Sequence, residues 1–138
     1  MTKWLEKISV EWVLRLGLGL THLYSGLDLV RHPSAWTWAL RPLPEFMRTL
    51  IGSVGEEQYL RAQGAVELIF VVVLLAWFIP RKYVFAVASL IFVEMLSILI
   101  LVGIKGDTFR DIGLVGAALA LMVLLKKKSS PQTIHESR

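Results

Sequence analysis

The sequence predicts an all-α, integral membrane four-helix bundle with a long first loop that carries a short surface helix. Three observations predict it. Hydrophobic residues make up 55% of the 138 residues and mean hydropathy is +0.61, too apolar for a soluble domain of this size. The apolar residues gather into four segments, at about 8–30, 59–79, 83–104 and 109–125, each near the roughly 20 residues that cross a bilayer as a helix. Charged residues, 19% of the chain, lie inside these segments as well as between them, and the longest run free of Asp, Glu, Lys and Arg is residues 112–125. Every span therefore carries charge, which a bundle has to turn inward.

The first span starts beyond Lys3 and Lys7. Glu6, Glu11 and Arg15 interrupt any signal-peptide core and no small-residue cleavage site follows, so this helix is expected to be retained. On it, Glu11, Arg15, His22 and Gly26 recur at steps of four, seven and four, which keeps them on one face. Glu11 and Arg15 have the i,i+4 spacing of an ion pair. The loop that follows holds His32-Pro33, Trp36 and Trp38, then Arg41-Pro42-Leu43-Pro44. Tryptophans there suit the headgroup belt. Residues 45–53 read as a short amphipathic helix with Phe46, Met47, Leu50 and Ile51 on its apolar side. The loop is expected to lie along the membrane surface as a partial lid.

Pro80-Arg81-Lys82 breaks the chain between the second and third spans, and Lys105-Gly106-Asp107-Thr108 between the third and fourth. The fourth span has two small-residue rows, Gly113 with Ala117 and Gly116 with Ala120, which would permit close helix approach. Lys126-Lys127-Lys128 ends it. Residues 1–125 thus form one domain, and 126–138 a basic tail with too little apolar content to fold.

Lysine and arginine near the span ends set the orientation. Lys3, Lys7, Arg81, Lys82 and Lys126 to Lys128 fall on one side; Arg31, Arg41, Arg48, Arg61, Lys105 and Arg110 fall on the other. The first side carries the denser charge on shorter segments, so both termini are expected in the cytoplasm.

Counting from span midpoints at about 1.5 Å per residue puts Glu94, Glu67 and His22 within about 5 Å of the midplane, one per helix. An ionised group there costs about 2.5–3.5 kcal/mol, so all three are expected to face the bundle interior. Gly64 lies one turn before Glu67, and Ser97 follows Glu94 on the same side. At the outer end, Asp28, Arg61, Arg110 and Asp111 share a level with balanced signs and are expected to form a structural ion-pair network. For His22, Glu67 and Glu94 two readings stand side by side: carboxyls hydrogen-bonded between helices for packing alone, or a polar pocket that holds a ligand headgroup or relays protons.

The composition excludes several classes. Without cysteine there are no disulfides, thiolate metal sites, iron–sulfur clusters or CxxC exchange. The net charge of +4 comes from residues at span ends and not from a basic patch interleaved with aromatics, which speaks against nucleic acid as a partner. No HxxxH or ExxH spacing supports a metal site, and His22 is the one histidine within a span, which disfavours haem b with two axial histidines.

Three pieces of the sequence resemble the DoxX-like family of small four-helix membrane proteins. The first is Leu14-Arg15-Leu16-Gly17-Leu18-Gly19 running to Tyr24-Ser25-Gly26-Leu27-Asp28, with His32-Pro33 and Trp36 beyond. The second, Gln63-Gly64-Ala65-Val66-Glu67-Leu68, is similar to the family's Gly-x-x-Glu opening of its second helix. The third, from Phe109-Arg110-Asp111-Ile112-Gly113 to Leu119, looks like the Arg-Asp start of its last helix. The order is right and covers nearly the whole chain. One departure is Leu29, where many members carry Lys.

The resemblance implies membrane-associated redox work. Some members are subunits of thiosulfate:quinone oxidoreductases, some associate with superoxide- or thiol-handling enzymes, and relatives act as assembly factors. The absence of cysteine removes the thiol-relay version. The expectation is a small subunit supporting quinone-linked oxidoreduction, with His22 and Glu67 as proton donors or relays, Glu94 as a second carboxyl, and Arg15 or Arg110 as charge partners. No residue supplies an electron carrier, so a partner subunit is required. The rival is a non-enzymatic accessory or assembly subunit whose buried charges only fix packing. A small-solute or ion carrier would need oligomers, since four helices make a narrow pathway and no inverted repeat is visible.

Overall fold

The structure, a computed structural model, describes residues 9–106 and 108–129, and these are all-helical with no strand. In chain order they form α1 (Val10–Arg31), a 3-10 helix (Pro33–Leu40), α2 (Glu45–Val54), α3 (Glu56–Leu75), α4 (Arg81–Val102) and α5 (Asp111–Ser129). The basic tail expected to be disordered lies outside the described residues beyond Ser129, as do Lys3 and Lys7.

Turn chemistry moves several boundaries from where hydropathy alone puts them. The second span, expected to reach residue 79, ends at Leu75, because Trp77-Phe78-Ile79-Pro80 makes a turn and the residue before a proline avoids the helical region. Pro80 then stands at the N-cap of α4, which begins at Arg81, two residues earlier than expected. The fourth span continues past Leu125 through the lysines. Lysine is a good helix former, and a cation is favoured at a helix C-terminus. Gly55, at φ 99°, is the single residue between α2 and α3, a conformation that suits a residue without a Cβ.

The four long helices pack as neighbours in the cyclic order α1, α3, α4, α5, with α1 against α3 the most extensive interface. Gly26 near the end of α1 meets Gly64 near the start of α3, and Arg15 near the start of α1 meets Leu74 near the end of α3, so these two run antiparallel. Arg81, which opens α4, reaches Glu11 at the start of α1. The helices thus run up, down, up, down. One end of the bundle carries the start of α1 and the end of α5; the other carries the long loop.

The core is two clusters. The larger fills the bundle, with Leu18, Leu74, Val84, Ile91, Ala118 and Leu121 at its centre. The smaller lies under the long loop, where Leu29, Leu40, Ile51 and Leu60 pack with Trp36, Leu43 and Tyr59. The loop is therefore docked on the bundle end. Only part of α2's expected apolar side is used: Ile51 is buried, while Phe46, Leu50 and Val54 form an exposed stripe.

α3 and α4 are long and apolar enough to cross a membrane. α1 and α5 are of similar length, but α1 carries Glu11, Arg15, His22 and Asp28, and α5 is bounded by Asp111 and its lysines. Outward faces are largely apolar: Leu16 and Leu20 on α1, Val66, Ile69 and Val72 on α3, Leu90 and Val93 on α4, and Leu119 and Val123 on α5 are each 43–61% exposed.

Helix approach is closest where α1 meets α3. A Cβ on Gly64 would stand 2.8 Å from the carbonyl oxygen of Gly26 and 2.8 Å from Leu29 Cβ. The small-residue rows expected to bring α5 close to a neighbour do not do so, because Gly113 and Gly116 face open space. A pair of substitutions separates the two kinds of glycine. Gly64→Ala is expected to destabilise by about 1–3 kcal/mol through overpacking. Gly113→Ala, unobstructed on a helix, is expected to stabilise by about 0.4–1 kcal/mol. Thermal unfolding of both in mild detergent checks the signs.

Candidate functional site

The predicted stripe on α1 is the face that the bundle buries: Glu11, Arg15, Leu18, Gly19, His22, Gly26 and Leu29. The buried polar or charged residues of the described chain are Glu11, Arg15, His22, Glu67 and Thr108, so four of the five lie on α1 or directly against it on α3. They separate into two groups with different partners.

Arg15 belongs to the end where α1 starts. Its Nε donates to the carbonyl oxygen of Leu74 at 2.6 Å, and its Nη2 to those of Ala76 at 3.0 Å and Val73 at 3.5 Å. The last carbonyls of a helix have no partner within it. The guanidinium fork therefore caps α3 from a neighbouring helix, a task that suits its fixed set of donors. Glu11, paired as expected at i,i+4, lies 3.6 Å from Arg15 and also accepts from Arg81 at 3.3 Å. Trp12 lies beneath the guanidinium, with its ring centre 4.3 Å from Cζ. Arg15 was expected as a charge partner for a ligand; its donors are directed at protein groups instead. Sequence spacing could not reveal this, because the acceptors are backbone atoms 58 to 61 residues away.

The second group lies farther along the bundle; of it Glu67 is buried, while Ser25, Gln63 and Glu94, which was expected in the interior, are half-buried. Ser25 on α1 donates to Oε2 of Glu67 on α3, and Gln63, one turn before Glu67, donates to Oε1 of Glu94 on α4. Gln63 also interacts with Glu67. Two of the three predicted interior groups are thus brought together through Gln63, which sequence reasoning missed. Its signal was present: Gln63 precedes Glu67 by four residues, on the same face of one helix. Ser97 takes no part, since its hydroxyl donates to Val93 of its own helix at 2.6 Å.

His22 sits one turn from Ser25 and packs edge-on to Phe70, with ring centres 6.3 Å apart. Its Nδ1 is 2.8 Å from the carbonyl oxygen of Leu18. A carbonyl only accepts, so Nδ1 carries the hydrogen, and in the neutral ring Nε2 presents a lone pair. That Nε2 is the one buried side-chain nitrogen or oxygen among the described residues without a hydrogen-bond partner. Leaving such a group unpaired costs about 1–3 kcal/mol.

The expected outer network does not assemble. Asp28 accepts from Trp36 Nε1 at 2.8 Å and pairs with His32 at 3.0 Å, which fastens the 3-10 helix to the end of α1. Arg61 and Arg110 are exposed, Asp111 is half-buried and feels the charge of its neighbour Arg110, and no ion pair joins any of them to Asp28. The physical reason is competition: His32 and Trp36 follow Asp28 closely in the chain, and they occupy its carboxylate. Among the described residues no group of three or more His, Asp or Glu is placed to hold a metal ion.

Comparison with protein-family models, with curated proteins and with solved structures finds no match to this chain. The reading of function therefore rests on the geometry.

Arg15→Ala removes a buried partner of Glu11 and uncaps the end of α3, and is expected to destabilise by about 3–5 kcal/mol. Arg15→Lys restores the charge without the fork and is expected to recover only part of that loss. Unfolding midpoints of the two variants, read against wild type, check the order.

Proposed function

We propose that this chain is an integral membrane protein that crosses the bilayer four times, and a small subunit supporting quinone-linked oxidoreduction with a partner. The observation that supports membrane insertion is the inverted polarity of the bundle. Glu11, Arg15, His22 and Glu67 are buried while Leu16, Leu20, Val66, Ile69, Leu90 and Val123 face out, which is the arrangement hydrocarbon requires. α1 and α5 belong in the membrane on this reading, because their charges are directed inward or lie at their ends. The exposed stripe of Phe46, Leu50 and Val54 on α2 suits a helix lying in the interface.

The single observation that carries the functional part is the unpartnered Nε2 of His22. An isoprenoid quinone offers two carbonyl oxygens, each a hydroxyl in the reduced form, and an apolar body, and it supplies the two-electron step when bound. His22 Nε2 has a lone pair to accept a proton from such a hydroxyl, with Phe70 as apolar contact. One turn from His22, and not bonded to its ring, Ser25, Glu67, Gln63 and Glu94 form a separate set of groups that accept and donate hydrogen bonds. The chain has no electron carrier, so the electrons go to a partner subunit. This also agrees with the DoxX-like resemblance of Gln63-Gly64-Ala65-Val66-Glu67.

A second reading draws on a specific observation. Glu67 and Glu94 have direct side-chain partners on neighbouring helices or on the linking Gln63, which is what an accessory or assembly subunit held together by buried polar contacts requires. Two measurements separate the readings. Membrane fractions washed at alkaline pH are expected to retain the protein. In the native complex, His22→Phe and Glu67→Gln are expected to lower turnover at least tenfold and reduce co-purified quinone. Full turnover in both variants with lowered complex yield supports the accessory reading, and loss of the protein to the wash overturns insertion.

A further inference from the structure

The end of the bundle where α4 starts and α5 finishes has a groove that the functional reading does not use. It has a volume of about 370 Å³ and is lined by Arg81, Lys82, Phe85, Leu125 and Lys126. Three cations thus surround an apolar floor, and among the described residues no carboxylate lines it. The antiparallel packing of α4 on α5 creates this set, because it brings the first turn of one helix level with the last turn of the other.

Contacts with the described residues do not consume the cations. Arg81 uses one nitrogen on Glu11 at 3.3 Å, and its side chain is still 52% exposed. Glu11 is itself shared with Arg15. Lys82 lies 5.0 Å from the ring centre of Tyr83, a contact that leaves its charge in place. Lys126 is exposed, and so is Lys127 beside it. Beyond the groove, the outward surfaces of the same two helices are apolar, with Leu90 on α4 and Leu119 and Val123 on α5 exposed.

We infer that this groove binds an anionic phospholipid, with the headgroup phosphate among Arg81, Lys82 and Lys126 and an acyl chain against Phe85 and the outer faces of α4 and α5. Charge complementarity selects the anionic headgroup over a zwitterionic one. The apolar floor and its continuation along both helices select a lipid over a soluble phosphate, since a free anion gains nothing from Phe85 or Leu119. The inference rests on membrane insertion but is independent of any quinone.

The test uses the full chain in nanodiscs of phosphatidylcholine doped with phosphatidylglycerol, with retained lipid counted by native mass spectrometry after release into detergent. Wild type is expected to retain phosphatidylglycerol in preference to phosphatidylcholine. Lys82→Gln with Lys126→Gln leaves the Arg81–Glu11 pair intact and is expected to reduce that preference by about fivefold per cation removed. Arg41→Gln with Arg48→Gln, at the opposite end, is expected to leave it unchanged. Equal retention of both lipids by wild type, an unchanged preference in Lys82→Gln/Lys126→Gln, or displacement of the lipid by millimolar glycerol phosphate overturns the site. Failure of the protein to enter nanodiscs at all overturns membrane insertion, a separate outcome.

Discussion

The guanidinium of Arg15 carries more of this fold than any other side chain. A helix end leaves carbonyl oxygens without a partner in the helix, and each one left buried and unsatisfied is costly. α3 ends in that way at Leu75, and Arg15 satisfies the carbonyls of Val73, Leu74 and Ala76 from across the α1–α3 interface. Glu11 supplies the counter-charge, and through Arg81 the same carboxylate reaches the first turn of α4. Three helix ends are therefore tied by one short set of charged bonds. The geometry also fixes how far α1 can slide along α3, because a shift of one turn would carry Arg15 past the carbonyls it bonds.

At the other end of the same interface, register is held by size and not by charge. Gly26 and Gly64 face each other so closely that a methyl group on Gly64 would overlap the opposing backbone. A charged clamp at one end and a contact between glycines at the other make α1 and α3 the rigid pair of the bundle. The polar groups of the interior lie between these two anchors, with Ser25 and Glu67 bonded across the pair and Gln63 extending the link to Glu94 on α4. His22 is held from below by its own helix and from the side by Phe70, which fixes the direction of its free nitrogen.

Much of this was legible in the sequence, and what was missed has physical causes. The helices, the buried stripe of Glu11, Arg15, His22 and Gly26, and the Glu11–Arg15 pair follow from spacing within one helix, where position determines face. The partners of Arg15 were invisible because backbone acceptors leave no mark in a sequence. The outer network failed because sharing a level says nothing of azimuth: Asp28 turns to Trp36 and His32, near in the chain, while Arg61 and Arg110 face outward. The same ambiguity affected α5, whose glycines have the spacing of a packing face and yet lie on the open side. Hydropathy also overran the end of α3, since Trp77 and Phe78 are apolar enough to extend a span but lead into Pro80.

The cross-helix cap on α3 bears on the order in which the chain can assemble. α4 and α5 are joined by a short connection and can pair as soon as both exist. α1 leaves the ribosome long before the acceptors at Val73, Leu74 and Ala76 do, so until then the guanidinium of Arg15 lacks the carbonyls it caps. Synthesis of the final turn of α3 is the moment at which the bonds from Arg15 can close. Assembly of the α1–α3 pair thus waits on the delay between residues 15 and 76.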